Sequence, residues 1–252
     1  MIVTTEAIVI STRKFGDTSR TAILYTKDFG KLNIISKSAR KSAGKHGSSL
    51  EPMSCCSATI YKKKPNSLHL LSKSEILFPC RHIIDSVEHL SCALMILDTL
   101  SQTQNEEFPS IEIFELLKEC LLELNRKSEN PFSILIYFLL NLIRYSGYSL
   151  ETESLSSFPN IEKSNIAFSY EENRFIQNYK TIIHNAFIFT NSTLNILTSL
   201  SECYFEDVTT ISIKNKNKTE LKNFFAGYLS FYFEKKIRLS AFDLSDILSE
   251  NL

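Results

Sequence analysis

Residues 2–37 read IVTTEAIVISTRKFGDTSRTAILYTKDFGKLNIISK. Ile, Val and Thr crowd residues 2–11 and 20–26, and Lys14-Phe15-Gly16-Asp17-Thr18 between them has turn chemistry, so the two runs are expected to form a hairpin. A second turn at Asp28-Phe29-Gly30 opens residues 31–37. There Leu32, Ile34 and Ser36 share one face and Lys31, Asn33, Ile35 and Lys37 the other, which makes one face core and leaves one for solvent or ligand. Two further strands are expected near residues 55–63 and 67–75. Five short strands within 80 residues, with no crossover helix between them, suit a small Greek-key barrel of the OB type, with an SH3-like barrel as the alternative.

Charge divides the chain as the strand pattern does. Ten Lys and three Arg face five acidic residues over 1–80, a net of +8, and residues 81–252 carry a net of −8, so the formal zero conceals two opposed halves. Concentrating that charge on a small barrel, within a few Debye lengths of about 8 Å, favours a polyanion such as nucleic acid as the ligand. The expected phosphate contacts are Arg13, Lys14, Arg20, Lys31, Lys37, Arg40, Lys41 and Lys45, with Lys62, Lys63 and Lys64 as a second patch and Lys73 adding to the field. About six such contacts on a single strand would make log K fall against log salt with a slope near −4. Arg40, Lys41 and Lys45 belong to a basic, Gly-containing stretch, Ser38 to Ser49, expected to be a loop. Phe15, Tyr25, Phe29 and Tyr61 are candidates for base stacking, with core burial as the competing role.

From Cys80 the hydrophobic period changes to that of a helix: Ile83, Val87, Leu90, Leu94 and Leu97 recur every three or four residues. A second helix is expected over Ser110 to Asn125. A third, apolar nearly all round and so central to a bundle, is bounded by Asn130 as N-cap, Pro131 at the first position and Gly147 as stop. Residues 149–180 break the regularity and are expected to form a small strand-containing insertion. Helical patterning returns near 185–201 and 219–233, with a last short helix from Ser240. The fold class is therefore α+β: a barrel domain over 1–80 and a helical domain over 81–252 that carries the insertion. Arg126, Lys127 and Arg144, near the ends of the apolar segment Phe132 to Ile143, are candidates for contacting a partner protein.

Several chemistries are disfavoured. Six cysteines form no CxxC, and the adjacent Cys55 and Cys56 would point to opposite faces of a strand, so reduced core thiols in a cytosolic protein are expected and no metal or other cofactor. His82, Asp85, His89 and Cys92 fall at helical spacing, but a single helix supplies them all. Gly44-Lys45 lacks the flanking residues of a phosphate-cradling loop, and neither a nucleophile elbow nor an HExxH motif occurs. The opening MIVTTEAIVI has no basic region ahead of its apolar stretch, so no signal peptide is expected, and the longest apolar run, Phe132 to Ile143, is broken by Asn141 and too short to cross a bilayer, so no membrane association is expected. Binding is the expected activity, not catalysis.

The stretch EAIVISTRKFGDTSRTAILYTKDFGKLNIISKSARKSAGKHGSSLEPM, residues 6–53, resembles the N-terminal domain of the RecO family of recombination mediators. The parts that carry the likeness are Arg13 to Thr18, Thr26, Gly30-Lys31, Ala39-Arg40-Lys41 and Leu50-Glu51-Pro52. More weakly, Phe138 to Glu151 and Tyr228 to Leu248 are similar to that family's helical body and C-terminal segment. The resemblance implies an OB-fold that binds single- and double-stranded DNA and anneals complementary strands. It implies as partners RecR and the C-terminal tail of single-stranded DNA-binding protein (SSB), with RecA loading as the outcome, in the cytoplasm at the nucleoid. Many members carry a four-cysteine zinc module where Ser149 to Lys180 of this chain has neither Cys nor His, so the resemblance implies either a degenerate, metal-free insertion held by residues such as Phe158, Ile161, Ile166 and Phe168 or a partly disordered one. An OB-type RNA-binding module and a protein-interaction scaffold are the alternatives.

Overall fold

The computed structural model describes residues 1–16, 19–37, 48–65, 67–150, 152, 155, 166–177 and 185–239. By compactness the chain divides into two units, Met1–Lys127 and Ser128–Leu252. In the first, strands β1 (Ile2–Phe15), β2 (Ser19–Thr26), β3 (Gly30–Ser36), β4 (Cys55–Tyr61) and β5 (His69–Phe78) close into a barrel in the order β1-β2-β3-β5-β4. Every pairing is antiparallel except the short parallel seam of Ile34 with His69 and Ile35 with Leu70. This is the OB arrangement, and the residue pattern explains it. β3 alternates strictly, with Leu32, Ile34 and Ser36 buried, and β1 serves two neighbours, pairing with β4 from Ile2 to Ile8 and with β2 from Ala7 onward. A bulge between Val9 and Ser11 bends β1 between those duties. The barrel core mixes small Ala7, Ala22, Cys56 and Ala58 with large Leu24, Leu32, Ile34 and Ile60, as a tapered interior requires.

Helices α1 (Val87–Thr103) and α2 (Ile111–Asn125) belong to the same unit. α1 starts seven residues later than the expected position, Cys80, because residues 81–85 form only a short 3-10 turn and Ser86 is extended. The Ser86 hydroxyl accepts the His89 N–H and so caps the helix. Between the helices, residues 104–110 run against β3. Lys31 and Glu106 form a parallel bridge, and the Glu107 N–H donates to the Lys31 carbonyl at 3.0 Å. Gly30 makes this approach possible: its φ is +67°, and a Cβ there would overlap the carbonyl of Phe108.

In the second unit, α3 (Pro131–Tyr145) buries nearly its whole circumference. Asn130 occupies the cap position, but its side-chain amide donates to the Thr209 carbonyl at 2.6 Å instead of capping. Gly147, at φ +87°, ends the helix as expected: its N–H reaches the Arg144 carbonyl and that of Tyr148 the Ile143 carbonyl, the paired bonds of a Schellman stop. The insertion is a three-stranded antiparallel sheet of β6 (Ile166–Ser169), β7 (Arg174–Gln177) and β8 (Ala186–Phe189), ordered β7-β6-β8. Ile166 and Phe168 are buried, and the Phe168 ring meets Tyr170, Phe175, Phe224 and Tyr228 in an aromatic cluster. α4 (Asn191–Glu202) and α5 (Asn215–Tyr232) follow; residues 186–189, expected as helix, are strand. Phe158, Ile161 and the short helix expected from Ser240 lie outside the described residues. No helix among the described residues is long and apolar enough to cross a membrane.

Candidate nucleic-acid interface

An open groove of about 310 Å³ over β1, β2 and β3 is lined by the outward-facing Ser11, Arg13, Thr21, Ile23 and Asn33, by the backbone side of Ala22 between them, and by Leu68. Register places these residues there. Arg13 lies opposite Thr21 and Thr21 opposite Ile35, while Ser11 lies opposite Ile23 and Ile23 opposite Asn33, so two rows of outward positions cross the three strands. The β2–β3 face, with the loops after β1 and β4, is where OB barrels hold oligonucleotides. Exposed Lys14 and Phe15 end β1 where the first of these loops begins, and exposed Lys63 and Lys64 lie in the second.

The eleven expected phosphate contacts separate into three groups. Arg13, Lys14, Lys37, Lys63 and Lys64 are exposed and make no ion pair among the described residues. Arg20, Lys31 and Lys62 are engaged. Arg20 pairs with Glu51 at 3.2 Å, Lys31 donates to the Ser101 carbonyl at 2.7 Å, and Lys62 sits 2.7 Å from Glu107 and 5.0 Å from the Phe29 ring centre. Arg40, Lys41 and Lys45 lie outside the described residues. Lys73 pairs with Glu75. Of the four aromatic candidates, Phe15 and Tyr61 are exposed, whereas Tyr25 is fully buried and Phe29 packs on the barrel core.

Glu107 is the pivot of a half-buried polar cluster with Lys62 and His69. Its carboxylate holds Lys62 and also lies 3.4 Å from Nε2 of His69, whose Nδ1 accepts the Lys63 N–H at 3.1 Å. Burial holds the His69 imidazole below its ordinary pKa, and the neighbouring Glu107 only partly offsets this. On another part of the same unit, Lys27 meets Glu115 at 2.7 Å and Lys118 meets Glu6 at 3.0 Å. The bonded Glu115 raises the Lys27 ammonium. Burial acts to lower that of Lys118, but Glu6 and Glu115 together outweigh it and leave it raised.

No cluster of three or more His, Cys, Asp or Glu among the described residues could hold a metal. His82 and Asp85 meet at 3.3 Å, but Asp85 is also taken by Lys127 at 2.9 Å, and His89 turns its Nδ1 to Ser86 at 2.9 Å. The buried thiols of Cys55, Cys56 and Cys80 are pushed up by burial, to about 12, 11 and 11, which makes them inert as nucleophiles near neutral pH. Of the three candidates for partner contact, Arg126, the C-cap of α2, pairs with Glu123 of that helix and Lys127 with Asp85, all in the first unit. Arg144 is exposed at the end of α3 in the second. Asn33 and Leu68 line the groove without having been singled out as binding residues. The strict alternation of β3 was the signal for Asn33, and nothing in the sequence marks Leu68.

Comparison with known proteins agrees with this architecture. The model of the recombination protein O N-terminal domain matches residues 1–80, and that of its C-terminal domain matches residues 85–241. A protein called DNA repair protein RecO from Chloroherpeton thalassium is 31% identical over 150 residues, 60% of this chain and 58% of that relative. Its namesake from Syntrophus aciditrophicus is 30% identical, covering 58% of this chain and 56% of the relative. One from Alkaliphilus metalliredigens is 27% identical over 70% of this chain and 71% of the relative. The first of these matches thus span rather more than half the length of the curated relatives.

Proposed function

Because the chain belongs to the recombination protein O family, we propose that it is a DNA-repair and recombination mediator that binds single- and double-stranded DNA through its barrel and anneals complementary strands. The observation that carries this is the set of uncompensated cations, Arg13, Lys14, Lys37, Lys63 and Lys64, at the ends of strands and loops around the β1–β2–β3 groove. Two DNA strands repel each other through their phosphates. A cationic surface that neutralises phosphates on both strands lowers that repulsion, and base pairing then drives the duplex together. No covalent bond is made or broken, so the activity needs neither ATP nor a catalytic residue.

The partners follow from the same reading: RecR, the SSB C-terminal tail and, indirectly, RecA, which replaces that protein on single strands, all in the cytoplasm at the nucleoid. Arg126, Lys127 and Arg144 remain the candidates for contacts with partner proteins. Arg40, Lys41 and Lys45 belong to the proposed DNA surface by their charge alone.

The test is annealing of complementary oligonucleotides coated with SSB, with RecR as the variable, together with a salt titration of single-strand binding. Five cations, each neutralising one phosphate, give a slope of log K against log salt of roughly −3.5. A flat response removes the mechanism. Competition between matched DNA and RNA oligonucleotides separates this reading from RNA binding, which would show as preference for the 2′-hydroxyl.

A further inference from the structure

The geometry points to a subsite for an unpaired nucleobase, formed where the α1–α2 connection meets β3; this rests on the DNA-binding reading above. An open groove of about 730 Å³ there is lined by Asn33, Ser67, Leu68, Asn105, Glu106 and Phe108. It shares Asn33 and Leu68 with the groove across β1, β2 and β3, so a strand held on that face runs directly into it. Its chemistry is unlike that of a phosphate site. None of the six lining residues is cationic, and the Glu106 carboxylate repels a phosphate. Amide, hydroxyl and carboxylate groups beside an aromatic ring suit a base, which has a π-face and a hydrogen-bonding edge where a phosphate has neither.

Phe108 is 71% exposed, yet its backbone is fixed. The bridge from Lys31 to Glu106, the Glu107 N–H on the Lys31 carbonyl, and the bare Cα of Gly30 against the Phe108 backbone hold it at the groove. A ring presented to solvent from a pinned backbone loses little freedom when a base stacks on it.

The polar groups also select among bases. A carboxylate can only accept, so the 2.5 Å contact between Asn33 and Glu106 orients the Asn33 amide with its NH2 toward Glu106. The Asn33 carbonyl oxygen and the second Glu106 oxygen are then acceptors without a partner among the described residues. Cytosine, which offers a donating N4 amine, satisfies them; thymine turns its O4 acceptor to the same place.

Fluorescence anisotropy on the full chain at pH 8 tests this, with oligo-dC, oligo-dT and a mixed-sequence duplex as probes. The expected preference is about fivefold for dC over dT, the lower end of what one base contact discriminates. Phe108→Ala weakens binding to both single strands by about tenfold and leaves the duplex within about twofold, because paired bases cannot reach the subsite. Glu106→Gln, which can donate as well as accept, brings the dC to dT ratio to about one. A dC to dT ratio that Glu106→Gln leaves unchanged, or a Phe108→Ala loss as large on duplex as on single strands, overturns the subsite while DNA binding stands. Absence of salt-dependent binding by the unaltered chain overturns the DNA-binding reading, and the subsite with it.

Discussion

Two regions of the first unit carry basic side chains of opposite fate. Where α2 meets the barrel, Lys27 is held by Glu115 and Lys118 by Glu6, and the neighbouring Asp28 accepts the Thr5 hydroxyl at 2.7 Å. Around the β1–β2–β3 groove, Arg13, Lys14, Lys37, Lys63 and Lys64 have no carboxylate partner among the described residues. The first set stitches barrel to helix and contributes little field; the second is left to meet an outside anion. A net charge counts both alike. Availability for a polyanion depends on which cations the acidic helices have already neutralised, and in this barrel the boundary runs through Lys62, which Glu107 holds at 2.7 Å.

The largest expected effect comes from breaking the seam that keeps those regions distinct. Gly30→Ala forces a Cβ into the Phe108 backbone at a φ that L-residues rarely adopt, so urea unfolding should show a loss of about 3 kcal/mol. An unchanged midpoint would mean that the α1–α2 connection is not pinned through Gly30. Next is the charge contrast itself. Reversing Arg13 and Lys14 to Glu should weaken single-strand binding by roughly thirtyfold and flatten the salt slope by about 1.4, whereas Lys27→Glu should change DNA binding less than twofold. Equal losses from both variants would erase the comparison.

The barrel was legible because alternation is a property of the chain itself. Leu32, Ile34 and Ser36 could only face one way, and turn residues bounded each strand. Helices were legible through their stripes and caps, and Gly147 by its need for a positive φ. What escaped was tertiary. The start of α1 hangs on one extended residue, Ser86, in an otherwise unbroken helical period. The run Ala186 to Phe189 is too short and apolar to distinguish strand from helix until β6 supplies a partner. Residues 104–110 gave no hint that they lie along β3, because the bonds that hold them there are backbone bonds to Lys31. For the same reason Phe108, in the acidic part of the sequence, drew no attention as a surface beside the basic barrel.

Glu107→Gln sharpens the boundary between the two sets of cations. Removing the charge that holds Lys62 should cost about 1 kcal/mol of stability, since both side chains are largely sheltered, and should also tighten DNA binding two- to threefold by releasing a lysine toward the loop that carries Lys63 and Lys64. Loss of stability with no gain in affinity would place Lys62 outside the DNA surface.

The smallest effect is the pH dependence of the same cluster. The folded chain holds His69 below its ordinary pKa of about 6.5, chiefly through burial, with Lys62 and Lys63 acting in the same direction and Glu107 against it. As pH falls through 6.5 the unfolded chain takes up a proton at this residue before the folded one does. The contribution of His69 is therefore full above pH 6.5 and is lost progressively below it, toward the folded pKa. Thermal midpoints measured between pH 7.5 and 5.5 should fall more steeply for the unaltered chain than for His69→Gln, which keeps an acceptor for the Lys63 N–H but cannot titrate. Parallel curves would show that Glu107 compensates the imidazolium fully, making the cluster an ion triad rather than a neutral histidine beside a salt bridge.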